Sequence, residues 1–97
     1  MKEGDVAERN GNLERAYAAY QRAATLNQPG ATAKVEATHR KLVSGYTRAA
    51  MQATARQDLK GAVAQWDRVL ALDPANETAR GERKRAIEGL EKLNQKP

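Results

Sequence analysis

Ninety-seven residues suit one small domain with a marginal core, so its few large apolar side chains must be used economically. With three Tyr, one Trp, no Phe and no Cys, the composition excludes a thick aromatic core, disulfides and thiolate metal sites, while leaving the compartment open. The formal net charge of +5 is uneven: residues 1–33 are neutral, 34–60 carry +4, 61–79 carry −2 and 80–97 carry +3, a mild basic bias rather than a nucleic-acid-binding tract.

The start, Met1-Lys2-Glu3-Gly4-Asp5, has no apolar run behind a basic region, so no signal peptide is expected there. Nor does any segment have the apolar length of a membrane span, and no membrane insertion is expected. Helical periodicity dominates and strand signals are nearly absent. A short helix is predicted over Lys2–Asn10, closed by Asn10-Gly11-Asn12. The next runs from Leu13 to Asn27, with Leu13, Ala16, Tyr17, Tyr20, Ala23 and Ala24 on one stripe, and ends at Gln28-Pro29-Gly30. A long helix follows over Ala33–Arg56, its stripe made of Val35, His39, Leu42, Tyr46, Ala49, Ala50 and Ala53. Gly45, in its middle, weakens it by about 1 kcal/mol relative to Ala and marks a bend or a close contact. After the corner Gln57-Asp58, a helix over Leu59–Leu72 carries Ala62, Val63, Trp66, Val69 and Leu70 and stops at Asp73-Pro74. The last, Asn76–Leu93, shows Ala79, Ala86, Ile87, Leu90 and Leu93 against a charged face. Asn76 is its expected N-cap, Glu77 suits the helix dipole, and residues 94–97 are expected to fray.

The strongest internal signal is a repeat. Gly11 to Leu26 aligns with Gln57 to Leu72, pairing Ala16 with Ala62, Tyr20 with Trp66, Ala23 with Val69 and Leu26 with Leu72; Pro29 and Pro74 close the two helices. This pattern of turn, small residue, aromatic four on, small residue and closing Pro resembles the second helix of the tetratricopeptide (TPR) repeat. Tyr46, Ala50 and Ala53 are similar to the repeat's first helix, of which the first copy keeps only Gly4 and Ala7. The copies lie 46 residues apart where the family has about 34, and the excess falls in the third helix.

The resemblance implies an all-α fold of antiparallel helix pairs in a TPR-like right-handed superhelix of about two repeats plus a C-terminal capping helix. Repeat one would be residues 1–30, repeat two residues 31–75, the cap residues 76–93, and residues 94–97 a disordered tail. It also resembles C-terminal TPR modules of bacterial envelope proteins, which implies a periplasmic or envelope location if the chain is part of a longer protein; if complete it is expected in the cytoplasm. By the same resemblance, the first helix of each pair lines a concave face, presenting Asp5 and Arg9 and then Arg40, Ser44, Thr47, Arg48, Met51 and Thr54 to a protein or peptide. Thr47 and Met51 stand where the carboxylate-clamping polar residues of TPR cochaperones would be, which argues against binding of chaperone tails. Tyr20, Leu42, Tyr46, Ala50, Ala62, Trp66, Val69 and Ile87 are the expected core, with Tyr46 and Tyr20 joining Trp66.

No catalytic constellation is visible. His39 is the only histidine and falls on an apolar stripe, so it reads as a partly buried, hydrogen-bonded side chain rather than a ligand. The acidic residues are scattered and the glycines form no phosphate cradle, so neither an enzyme nor a cofactor or metal is expected. Arg80, Arg83, Lys84 and Arg85 are the densest basic cluster. They read first as a solvated face alternating with Glu82 and Glu88, and second as a patch for an anionic polymer. No aromatic interleaves them, which argues against nucleic acid. The expected function is therefore non-catalytic recognition of a peptide or protein segment in a helical groove. Two alternatives remain: self-association as a homodimer, and anionic-polymer binding.

Overall fold

A computed structural model describes residues 1–95 of the chain. Five helices make up the fold: α1 (Lys2–Arg9), α2 (Leu13–Thr25), α3 (Ala31–Ala55), α4 (Leu59–Leu72) and α5 (Glu77–Asn94), and no strand occurs among the described residues. The expected boundaries hold to within two residues. α5 runs through Asn94, one residue into the stretch expected to fray, and residues 96 and 97 lie outside the described residues.

The turns explain where the helices stop. At the end of α1, Gly11 takes a positive φ of 78° and its N–H donates to Glu8 O, while the N–H of Asn12 donates to Ala7 O. This double closure satisfies carbonyls left orphaned at a helix C-terminus. The same closure ends α2, with Asn27 at φ 57° and donors Asn27 N and Gln28 N, and α3, with Gln57 at φ 61° and donors Gln57 N and Asp58 N. Two of these closures feed directly into the next helix. Asn12 accepts from Arg15 N and Asp58 from Gly61 N through their side-chain oxygens, at 3.1 Å and 3.0 Å. Asn76 caps α5 likewise by accepting from Ala79 N, as its sequence position predicts.

The chain divides into two compact units, Met1–Leu42 and the residues from Val43 onward, with the boundary inside α3. In the first unit α1 and α2 are antiparallel: Gly4 lies under the Tyr20 ring, and Arg22 pairs with Glu3 at 3.2 Å. Ala7, Ala16 and Tyr20 form its buried cluster, with Met1 and Val35 packed against it. A Cβ on Gly4 would overlap the Tyr20 ring, so the small residue here is what lets the helices approach. Thr38 is also buried, although it is polar; its hydroxyl donates to Lys34 O at 2.8 Å, which makes burial tolerable.

In the second unit, Ala50 and Ala53 of α3, Ala62, Trp66 and Val69 of α4, and Ala79 and Ala86 of α5 form one cluster. Val43, Tyr46, Leu59, Val63 and Leu70 pack around it. α4 and α5 run antiparallel, since Leu59 reaches Gly89 and Asp67 pairs with Arg83.

Three expectations are corrected. Tyr20 does not join Trp66 but centres the first unit's separate cluster, because its hydroxyl is drawn to charged partners on α1. Ile87 is only half-buried, the neighbouring Ala86 taking the inward position where α5 lies close. Of the bend or close contact expected at Gly45, the close contact is absent, since nothing stands within 4 Å of its Cβ position.

Candidate interaction surface

The residues singled out on α3 beyond the unit boundary are Ser44, Thr47, Arg48, Met51 and Thr54. Steps of three and four residues place them on one face of the helix, beside the face that buries Ala50 and Ala53. Met51 is 53% exposed, and Ser44 and Arg48 are exposed while Thr47 is half-buried. Thr54 is exposed, yet its hydroxyl donates to Ala50 O at 3.0 Å, so it offers a methyl and an occupied hydroxyl rather than a free donor. The strip is thus a flexible thioether among short polar side chains, with one guanidinium at its edge. Such a surface offers shape, apolar contact and a single charge. The Arg68 guanidinium lies over the Tyr46 ring, 5.6 Å from its centroid, and covers that aromatic from α4.

In the first unit Arg40 is exposed on α3, and Asp5 and Arg9 flank an open depression with Glu8 and Lys34. Asp5 is not a free contact residue. It accepts a hydrogen bond from the Tyr20 hydroxyl at 2.7 Å and lies 3.8 Å from Lys34 Nζ. That hydroxyl also donates to Glu8 Oε1 at 2.8 Å, and Lys41 donates to Glu8 Oε2 at 2.6 Å. The Tyr20 hydrogen bond and the Lys34 charge hold the Asp5 carboxyl below its usual range; for Glu8 the Lys41 bond comes first and Tyr20 second. Burial, and then the two carboxylates, push the Tyr20 phenol far above its ordinary value. Lys34 also sits 5.7 Å from the Tyr20 ring centroid. Sequence reasoning did not find this polar knot. The available signal was a Tyr at a core position, whose hydroxyl needs a partner, opposite two acids at i and i+3 on the helix it faces.

A more enclosed depression of about 430 Å³ on the same hairpin is lined by Val6, Ala7, Lys2, Glu3, Asn10, Asn12 and Arg15, with Val6 42% exposed. His39 is half-buried, its ring 6.0 Å from that of Tyr17.

The basic cluster on α5 is partly spoken for. Arg83 pairs with Asp67 of α4 at 2.5 Å instead of with Glu82 or Glu88 of its own helix, and Arg85 pairs with Glu82 at 3.3 Å. Arg80 and Lys84 remain exposed. Among the described residues, no three His, Asp or Glu side chains gather as a metal site would require, and no helix is long and apolar enough to cross a membrane. No family model matches the chain, and neither the curated proteins nor the solved structures give a match.

Proposed function

We propose that this chain is a non-catalytic protein-interaction scaffold of the tetratricopeptide kind, about two repeats capped by α5, that takes a peptide or protein segment along the exposed face of α3. The observation that carries this reading is Met51, left 53% exposed on a helix whose adjacent face buries Ala50 and Ala53. Met51 stands outward beside Ser44, Thr47 and Arg48, where its flexible thioether offers an adaptable apolar contact. The internal repeat supports it. Ala16 and Ala62, Tyr20 and Trp66, and Ala23 and Val69 are buried in matching pairs, and helical repeats of this sort expose continuous surfaces for extended partners. The α5 cluster is the weaker candidate for an anionic partner, because Arg83 and Arg85 already have carboxylates.

Peptides selected from a display library against the full chain provide the test. Met51→Glu is expected to weaken a selected peptide by about tenfold or more, as loss of a central apolar contact does, and Arg48→Ala by less. Leu93→Glu, at another exposed apolar residue, is expected to leave affinity unchanged. Peptides that bind Met51→Glu as tightly as the parent would overturn the assignment.

A further inference from the structure

The knot in the first unit is built entirely from groups that can gain or lose a proton, and it joins all three helical segments of that unit. α1 supplies Asp5 and Glu8, α2 supplies Tyr20, and α3 supplies Lys34 and Lys41. The apolar cluster beneath is small: two alanines and the Tyr20 ring itself, with Met1 and Val35 at its edge. One phenolic proton is shared between two carboxylate oxygens at 2.7 and 2.8 Å, and each carboxylate has a lysine beside it, Lys34 at 3.8 Å from Asp5 Oδ1 and Lys41 at 2.6 Å from Glu8 Oε2. The second unit is held differently. Its cluster of alanines, Trp66 and Val69 contains no titratable side chain, and its ion pairs, Arg83–Asp67 and Arg85–Glu82, lie outside that cluster.

We propose that Tyr20, Asp5, Glu8, Lys34 and Lys41 form an acid-operated latch: protonating the two carboxylates releases α1 from α2 and from the start of α3, while the second unit stays folded. The charged groups facing the knot all favour this direction. Lys34 and Lys41 face it from α3, and Arg9 of α1 and the α-amino group of Met1, just before α1, act on Asp5. Once the carboxylates are neutral, these cations lose their partners and repel one another, and the Tyr20 hydroxyl keeps only neutral acceptors. The sign follows from linkage. Both carboxyls are held below their ordinary values in the folded unit, so their contribution is complete above the usual carboxylate range and is lost as pH falls through and below about 4. The raised Tyr20 phenol acts at the other extreme: its contribution is complete below about pH 10 and fades above it.

Native-state amide hydrogen exchange on the full chain tests the latch, with protection referred at each pH to the unstructured rate. Trp66 fluorescence reports the second unit alone, because Trp66 is the only Trp. As pH falls from about 6 to about 3, protection of α1 amides is expected to drop by about tenfold or more. Protection of Ala62–Val69 and the Trp66 signal are expected to hold. Asp5→Asn with Glu8→Gln should give low α1 protection at neutral pH and remove its pH dependence. Should that variant leave the first unit open throughout, Tyr20→Phe retains both carboxylates and is expected to lower α1 protection at neutral pH with the second unit unmoved. Simultaneous loss of protection in α1 and α4, full α1 protection at pH 3, or a Tyr20→Phe variant exchanging like the parent would each overturn the proposal.

Discussion

The two units solve the same packing problem with opposite chemistry. Tyr20 and Trp66 occupy matching positions of the internal repeat, each essentially without exposure, and each is flanked by small residues, Ala16 and Ala23 in one and Ala62 and Val69 in the other. Tyr20 sends its hydroxyl into a pair of carboxylates, so the first unit joins its helices through charge and hydrogen bonds. Trp66 has no such outlet. Its indole N–H is buried without a hydrogen-bond partner among the described residues, and its unit is held by apolar contact. A buried donor left alone costs about 1–3 kcal/mol, which the larger ring offsets through the area it removes from water. One helical frame thus carries a polar, condition-dependent joint and a dry, condition-independent one.

The largest expected effect comes from removing the dry anchor. Trp66→Ala is expected to destabilise the second unit by about 3–5 kcal/mol, the usual range for deleting a large buried aromatic. The loss should be the same at neutral and at mildly acid pH, because the buried cluster itself contains no titratable side chain. Urea denaturation followed by circular dichroism at two pH values measures it. A loss that shrinks in acid would show that the contrast between the units is drawn in the wrong place.

Next in size is the close approach of α1 and α2. Gly4 and Ala50 are matching positions of the repeat, both buried, and a Cβ added at Gly4 would overlap the Tyr20 ring. Gly4→Ala is expected to cost about 1–3 kcal/mol by overpacking against Tyr20, even though Ala is the better helix former by about 1 kcal/mol. It should also lower α1 protection in hydrogen exchange. A stabilised Gly4→Ala variant would mean that Tyr20 can shift, and that the knot is not rigidly placed.

Most of the helical frame was legible in the sequence, and much of the polar joinery was not. The stripe Ala62, Trp66, Val69 fixed α4 without error, and the turns at Gly11, Pro29 and Pro74 placed the neighbouring ends, because helical period and chain-breaking residues are local signals. The knot joins positions 5, 8, 20, 34 and 41, and such a set resembles solvated charge until the helices are brought together. The partner of Arg83 was not legible for the same reason. Its sequence neighbours Glu82 and Glu88 compete with Asp67, which is near only in space. Thr38 escaped notice because its burial depends on a hydroxyl turned onto the preceding helical turn. On α3, Ser44, Arg48, Met51 and Thr54 are exposed and Thr47 is half-buried, and the Thr54 hydroxyl is engaged by Ala50 O.

The smallest expected effect separates the two units at their matching turns. Gly11 and Gln57 are matching residues, both in the left-handed region at φ 78° and 61°, and each is followed by a side chain that caps the next helix. A residue with a Cβ is strained there by about 1 kcal/mol, whereas Gly is not. Gln57→Gly is therefore expected to stabilise the second unit by up to about 1 kcal/mol, less the greater entropy glycine gives the unfolded chain. Gly11→Ala is expected to destabilise the first unit by about the same amount, although open space surrounds its Cβ position. Thermal melts of the two variants, read by Trp66 fluorescence for the second unit and by α1 hydrogen exchange for the first, should move in opposite directions. If both moved the same way, the two turns would not be equivalent, and the repeat would be one of side-chain pattern without shared backbone geometry.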